Sequence, residues 1–291
     1  MASTLTVDNI VGATTAASVK TPAGTVLQTQ VNKYNTEVSS TSTSLSATGA
    51  SVTINPKFAT SHILVGIQGV VYMFGNNATQ EPKAGFKLYR SEGGGSDVEI
   101  RSFFDSNNYT LKSEFGANKY RESSSFYFTH LHDVDTTSAV VYKLYFNNAG
   151  GSGVIRLNSG SSNTASWAAT DVAATITPKY NTSKILVQFT GAIRVYNSSG
   201  ANASGAWRIY RSVGGASFAQ VGTHQMTHRF YDYGSSGIIA DQPFHMQYLD
   251  SPSTTSAVIY KLYWYKEAGT AMEYNPDGQD ETYTTLMEIA Q

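Results

Sequence analysis

A ten-residue motif that occurs twice constrains the fold of this chain more than any other feature. The motif TTSAVVYKLY at Thr136–Tyr145 returns at Thr254–Tyr263 with a single Val-to-Ile change. An earlier block, TINPKFATSHILV from Thr53, likewise returns as TITPKYNTSKILV from Thr175. Two matched blocks in the same order and at nearly the same spacing indicate a duplicated unit of about 120 residues. A unit of that length can bury its own core.

The period of the apolar residues indicates strands rather than helices. In KILVQFTGAIRVY, from Lys184, the apolar positions fall on every second residue, which is the period of a strand with one wet face. Its copy from His62 shares a mid-strand glycine with it, Gly69 in one and Gly191 in the other. Such a glycine indicates a bulge or the close approach of a neighbouring ring or backbone.

The strands are short, and turns rich in Gly, Ser, Asn and Pro follow every 8–12 residues. Eight or nine strands are expected in each unit, including Val26–Val31, the Ser/Thr run at 37–46 and a last strand of the first unit at Asn163–Ala169. The sequence therefore predicts an all-β chain with two tandem jelly-roll-like antiparallel β-sandwiches, preceded by an extended N-terminal segment. The predicted parts are residues 1–24, the first sandwich at 25–160 and the second at 161–291.

The composition excludes several classes of function. Charged residues make up 14% of the chain, the net charge is −1, and the basic residues are scattered, so nothing predicts a nucleic-acid interface. No apolar run is long enough for membrane insertion, and the N-terminus lacks the layout of a signal peptide. The absence of cysteine excludes disulfides and thiolate metal sites. No cofactor is predicted.

The histidines do not predict a metal site. His130 and His132 are two residues apart on a strand and point to the same face, but no third ligand is spaced nearby. His224 and His228 have the spacing of a helical zinc motif, yet on a strand they stand roughly 13 Å apart. We predict no bound metal.

The carboxylates do not predict a catalytic pair. Asp133 with Asp135, and Asp277 with Asp280 and Glu281, all lie in turns, where an Asp commonly caps its own backbone. Nothing in the sequence brings two such groups together from distant strands, so no catalytic residue is predicted.

Tyrosine is used 19 times, which directs attention to aromatic surfaces. The motif strands alternate between an apolar face, expected in the core, and a second face that carries Tyr145 in one copy and Tyr263 in the other. An aromatic second face is more typical of a subunit contact than of a ligand platform. The predicted ligand-binding residues are instead Phe230, Tyr231 and Tyr233, in a loop that is unmatched in the first unit. The alternative is that these rings cover the end of the sandwich.

Residues 1–24 cannot form a core of their own. They contain Leu5, Val7, Ile10 and Val11 but no aromatic residue. We expect these four side chains to dock the segment on another surface. The alternative is a leader that lies on its own first domain.

Several of these blocks resemble one family. The opening MASTLTVDNIVGATTAASVKTPAGTVLQTQ and the blocks ITPKYNTSKILV, IYRS and YLDSPSTTSAVIYK are similar to segments of structural proteins of marine tailed bacteriophages, including cyanophages. The resemblance covers nearly the whole chain. In the first unit, LHDVDTTSAVVYK departs from the pattern because it lacks the proline, so the turn there is expected to differ.

The resemblance implies a non-enzymatic virion structural protein. We expect a tail or head fibre that docks by its N-terminus on capsid, portal or tail proteins and projects the two sandwiches, in contact with a host surface glycan. A homotrimer is expected, because threefold assembly covers exposed sheet faces. Two alternatives stay open: a capsid decoration or tail accessory protein that stabilises the particle, and a carbohydrate-binding module for host surface glycans.

Overall fold

The computed structural model describes residues 26–32, 34, 36–75, 80, 82–104, 111–112, 120–157, 167–200, 202–222, 226–232, 237–274 and 283–289. These residues form β-strands and no helix, so this part of the chain has no helix that could cross a membrane. The predicted docking residues Leu5, Val7, Ile10 and Val11 lie outside the described residues.

In the first half of the chain, up to residue 157, the described residues form nine strands. In chain order they are β1 (Val38–Ser40), β2 (Ser46–Ile54), β3 (His62–Gly75), β4 (Lys83–Glu92), β5 (Val98–Phe104), β6 (Leu111–Lys112), β7 (Tyr120–Asp133), β8 (Val140–Asn148) and β9 (Val154–Leu157).

The second half, from residue 167 on, also forms nine. They are β10 (Ala168–Ile176), β11 (Lys184–Asn197), β12 (Asn202–Val213), β13 (Ala219–Gln220), β14 (Met226–Asp232), β15 (Ile238–Asp250), β16 (Val258–Ala268), β17 (Ala271–Tyr274) and β18 (Tyr283–Ile289). The all-β prediction is confirmed, and all the strand pairs are antiparallel.

Each half is a sandwich of two sheet layers. In the first half, β2, β8, β4 and β5 form one layer, with β6 beside β4, and β1, β9, β3 and β7 form the other. In the second half, β10, β16, β12 and β14 form one layer, with β13 beside β12, and β11 lies between β15 and the pair β17 and β18 in the other. The chain passes repeatedly from one layer to the other, as in jelly-roll-like folds.

The repeated motif supplies the central core strand of each half. In β8 every second side chain is buried, and the same alternation begins β16. The largest of these buried side chains, Phe146 and Tyr260, pack with residues of the opposite layer such as Val71 and Phe189. Each buried side chain of this size stabilises its half by roughly 1.5–3 kcal/mol, which explains why the motif is nearly unchanged between copies.

A continuous sheet joins the two halves. Tyr120–Glu122 at the start of β7 pair with Phe230–Asp232 at the end of β14, so one nine-stranded sheet runs through both. The junction is an edge-to-edge strand pair between segments about 110 residues apart in the chain, and it covers two sheet edges that would otherwise be open to other chains.

Polar side chains hold the halves together beside this pair. The Gln68 side chain donates to the Gln247 carbonyl and accepts from the Gln247 amide, each at 2.9 Å, so one side-chain amide makes both bonds of a strand pair. The rings of Tyr127 and His245 stack with their centroids 3.6 Å apart. These contacts lie on the outer faces of β3, β7 and β15, where a sequence pattern predicts only polar solvent-facing residues.

The strand predicted at Val26–Val31 is wrong. Residues 26–32 form no strand, because they approach β2 through side chains rather than through backbone groups. Gln28 donates its side-chain amide to the Asn55 carbonyl at 2.5 Å, and Asn32 donates to the Ser51 carbonyl at 2.6 Å. Polar side chains thus take the place of the ladder that a strand would form.

Two other predicted strands differ as well. In the Ser/Thr run at 37–46 only Val38–Ser40 and the first residue of β2 are strand, because the Ser40 and Ser42 hydroxyls accept bonds from backbone amides two residues on and make turns. At Asn163–Ala169, the described end of the segment begins β10 and pairs with β16. That stretch therefore opens the second half instead of closing the first.

The mid-strand glycine Gly69 has the predicted role. A Cβ at Gly69 would stand 2.7 Å from Cζ of the Phe126 ring, which is itself packed against Phe86 and Phe128. Gly191 faces the equivalent ring, Phe244, in the second half. At Gly69 the ring of the cross-strand partner fills the space that the missing side chain leaves.

The substitution Gly69→Ala is expected to destabilise the protein by about 1–3 kcal/mol, because the added methyl overpacks a rigid core. Urea unfolding measures the change as a lower midpoint. Gly66→Ala, on the same strand, is the matched control: there the Cβ would meet the Tyr127 hydroxyl at an ordinary 3.6 Å, and no loss is expected. Equal midpoints for the two variants would contradict the packing role of Gly69.

Candidate ligand-binding face

In the first half, the Asp97 carboxylate lies on the outer face of β4 and β8 and binds two neighbouring side chains. The Lys143 ammonium donates to Asp97 Oδ1 and the Tyr145 hydroxyl to Asp97 Oδ2, both at 2.6 Å. The bond from Lys143, followed by that from Tyr145, lowers the pKa of the Asp97 carboxyl. The same bond to Asp97 raises the pKa of the Tyr145 hydroxyl. The Asp97 carboxylate therefore binds both the Lys143 ammonium and the Tyr145 phenol.

A second carboxylate, that of Glu99, repeats this arrangement two residues further along the chain. Lys87 donates to Glu99 Oε2 at 2.9 Å and the Tyr89 hydroxyl to the same oxygen at 3.4 Å. The Tyr89 and Tyr145 rings contact each other with centroids 4.4 Å apart. On this face of the first half, both hydroxyls and both ammonium groups are occupied by the protein itself.

In the second half, the same two tyrosines are present but the two carboxylates are not. By strand register, Tyr210 and Tyr263 are the counterparts of Tyr89 and Tyr145, and their rings stack 3.9 Å apart at 25°. Phe218 stands where the first half has Asp97, and Gln220 pairs with Tyr210 as Glu99 pairs with Tyr89.

Two further rings extend this surface. Trp167 and Tyr265 stand where the first half has Leu45 and Asn147, and their centroids are 5.9 Å apart. The Arg208 guanidinium lies 4.2 Å above the Trp167 ring. We call this surface the tyrosine face and define it by its six side chains on β16, β12 and the adjoining segments: Trp167, Tyr210, Phe218, Lys261, Tyr263 and Tyr265.

The phenol groups of the tyrosine face are open. No hydrogen bond joins the hydroxyl of Tyr210 or Tyr263 to another group in the part of the chain that the structure describes, and both side chains are half-buried rather than covered. The strands of the first half pair with β14 and contact β15. A shallow groove of about 380 Å³, bounded in part by Tyr265, Lys266 and Thr270, adjoins it.

These features suit a ligand with alternating apolar and hydroxyl surfaces. Tyr and Trp give a stiff apolar ring together with a polar handle, and a sugar ring presents C–H patches flanked by hydroxyls. Open phenols and two cations supply hydrogen-bonding groups at the edges of the rings, while the Gln220 amide is bonded to Arg208 and to the Gly222 carbonyl. Among the described residues of this surface there is no acid–base pair, and its chemistry is that of a binding surface.

The predicted ligand-binding loop is a strand as far as Asp232, because the backbone of β14 pairs with β12 on one side and with β7 on the other. Phe230 is half-buried against the core cluster of the second half, which favours the alternative that its ring covers the sandwich end. The backbone of Tyr231 pairs with Arg121 in the junction. The side chain of Tyr231 and all of Tyr233 lie outside what the structure describes, so their ligand-binding role stays a prediction.

His130 and His132 lie on one face with ring centroids 6.3 Å apart. His132 is buried, and its Nδ1 shares a hydrogen bond of 2.7 Å with the Tyr142 hydroxyl. Burial, followed by the charge of Arg90, lowers the pKa of His132. The pair is therefore part of the core edge, and no group of three potential metal ligands occurs among the described residues.

The candidate carboxylates also serve the fold where they are described. Asp133 binds the exposed His62 ring through Oδ1 at 2.5 Å, and both side chains are exposed. The cluster of Asp277, Asp280 and Glu281 lies outside the described residues.

Comparison with known proteins identifies no family. No family model matches the chain, and no curated protein matches it. Among solved structures, the chain is similar to the N-terminal CBM22-1–CBM22-2 tandem domain of Xyn10C from Paenibacillus barcinonensis, with 11% identity, 85% of this chain and 90% of that chain covered, and a TM-score of 0.21. A similarity at that score carries no argument about the ligand of this chain.

His228 gives the protein a built-in sensitivity to acid. Its side chain is fully buried in the second half, neither ring nitrogen has a hydrogen-bond partner within the described residues, and burial lowers its pKa to about 3. The ring is neutral in the folded state, whereas an unfolded chain binds a proton near pH 6.5. Stability from this group is therefore complete above pH 6.5 and is lost as the pH falls towards 3.

We expect the free energy of unfolding to fall between about pH 6.5 and 3, with His228 contributing up to about 1.4 kcal/mol per pH unit. The variant His228→Leu keeps a similar volume and removes the titration, so its stability is expected to decline less steeply with acid. Urea titrations across this range measure the slope, and His62→Gln, at an exposed histidine, is the control. An acid slope in H228L equal to that of the unaltered protein would contradict the role of His228.

Proposed function

We propose that this chain is a non-enzymatic bacteriophage virion protein that binds a glycan of the host surface through the tyrosine face of its second half. One observation carries the binding role: the two halves share the tyrosine pair, but only the second half leaves its hydroxyls open and adds Trp167 and Tyr265 around it. A surface that served folding alone would be expected to bond its phenols internally, as the first half does.

The virion setting rests on the sequence resemblance to structural proteins of marine tailed phages. Two sandwiches joined by a shared sheet suit a rigid projection, so the fibre role is retained, with residues 1–24 as the docking segment and a homotrimer as the assembly. Because the joined sheet holds the second half in a fixed orientation relative to the first, the tyrosine face is presented in a defined direction.

The double variant Phe218→Asp with Gln220→Glu tests the binding role by restoring the carboxylates of the first half. The new acids are expected to bind Lys261, Arg208 and the two phenols, as Asp97 and Glu99 do in the first half. Glycan binding, measured on an array and then by titration with the strongest hit, is expected to weaken at least tenfold without loss of thermal stability. Each lost hydrogen bond of about 1 kcal/mol accounts for roughly a fivefold change.

The matched control is Asp97→Glu in the first half, which keeps the acid there and leaves the second half unaltered; its binding is expected to be unchanged. Wild-type binding by the F218D/Q220E variant would contradict the tyrosine face as the site. Particles of the phage that encodes the chain provide the second test, since the absence of the chain from purified particles would contradict the virion role.

A further inference from the structure

The charge in and beside the tyrosine face differs from the charge at the equivalent positions of the first half. At the four equivalent positions the first half has two cations and two acids, Lys87, Lys143, Asp97 and Glu99, which sum to zero. The second half has Arg208 and Lys261 with Phe218 and Gln220, which sum to +2. Both halves have a cation at two of these positions, but only the first half has the two acids.

Lys261 is held in the middle of the aromatic surface. Its ammonium lies 5.4 Å from the centroid of the Phe218 ring, and its backbone pairs with Tyr210 on β12. No ion pair joins Lys261 to a carboxylate in the part of the chain that the structure describes. Asp171, on the neighbouring strand β10, is exposed, and Glu267, farther along β16, pairs with Arg229.

Arg208 adds a second cation in a fixed position. One of its terminal nitrogens donates to the Gln220 side-chain oxygen at 2.9 Å while the guanidinium covers the Trp167 ring. Where the first half places Glu99 against Lys87, the second half places a neutral amide. Neither the Gln220 amide nor the Trp167 ring brings a negative charge to the guanidinium, whereas Glu99 brings one to Lys87.

We propose that the tyrosine face selects acidic glycans, which carry uronate or sulfate groups on their sugar rings. The inference rests on the proposed glycan-binding role and names the class of glycan. The rings take the apolar face of a sugar, and the carboxylate or sulfate binds the two cations beside them, Lys261 and Arg208. Cations that are already fixed beside rings lose little freedom when they bind such a group.

The full chain is to be tested on an array of uronate- and sulfate-bearing polysaccharides, each paired with its carboxyl-reduced or desulfated counterpart. The acidic form of a pair is expected to bind, and its neutral counterpart to bind at least tenfold more weakly. Lys261→Gln is expected to weaken binding of the acidic form by a factor of about 2 to 5, as for a single exposed ion pair. Lys143→Gln, the equivalent change in the first half, is the matched control and is expected to leave binding unchanged.

The outcomes separate this inference from the function on which it rests. Equal binding of the acidic and neutral forms, with no effect of K261Q, would overturn the selection of acidic glycans and leave glycan binding in place. Binding to neither form of any pair would overturn the proposed function itself. A loss in K143Q as large as in K261Q would overturn the assignment to the second half.

Discussion

The structure of each half depends on one buried tyrosine hydroxyl that has to find a partner in the core. Tyr142 bonds to the His132 ring in the first half, and Tyr260 donates to Asp250 at 2.7 Å in the second. Burial raises the pKa of Tyr142 to about 12 and raises that of Tyr260 as well. Because an unpaired hydroxyl at this depth would cost about 1–3 kcal/mol, the motif strand cannot shift or reverse its faces.

This constraint divides the motif strand into a side that is fixed and a side that is free to change. The inner side chains differ little between β8 and β16, since both cores need the same packing. The outer side chains contact residues of other strands and loops. Those neighbours differ between the two halves because the core does not constrain them. Replacing Asp97 by Phe218 and Glu99 by Gln220 changes what the outer tyrosines can bind without disturbing the core behind them.

The parts of the fold with a local cause could be predicted from the sequence. The period of two gave the long strands, and Gly69 indicated the ring that lies against it. The junction between β7 and β14 could not be predicted, because pairing between distant edges leaves no pattern within either segment. The strand predicted at Val26–Val31 was wrong for a related reason: its alternation is real, but Gln28 and Asn32 bond to β2 through their side chains.

The residue pattern contains the signal for the tyrosine face, but the pattern of one strand by itself favours a different interpretation. The alternation along the motif strand predicts a subunit contact for the face that carries Tyr263. The sequence instead predicts the ligand site at Phe230, Tyr231 and Tyr233. The signal that identifies the face is a comparison of two segments: SEGGGSDVE from Ser91 aligns with SVGGASFAQ from Ser212 and sets Asp97 and Glu99 against Phe218 and Gln220. Its meaning becomes clear only when the register sets these residues beside Tyr210 and Tyr263.

The most direct test of the account is an experimental structure of the full chain with a bound acidic oligosaccharide. The account predicts one sugar ring within about 4 Å of the Tyr263 ring, with its acidic group towards Lys261, and no sugar on the equivalent face around Tyr145. A sugar bound instead at Tyr231 and Tyr233, or equally on both halves, would contradict it.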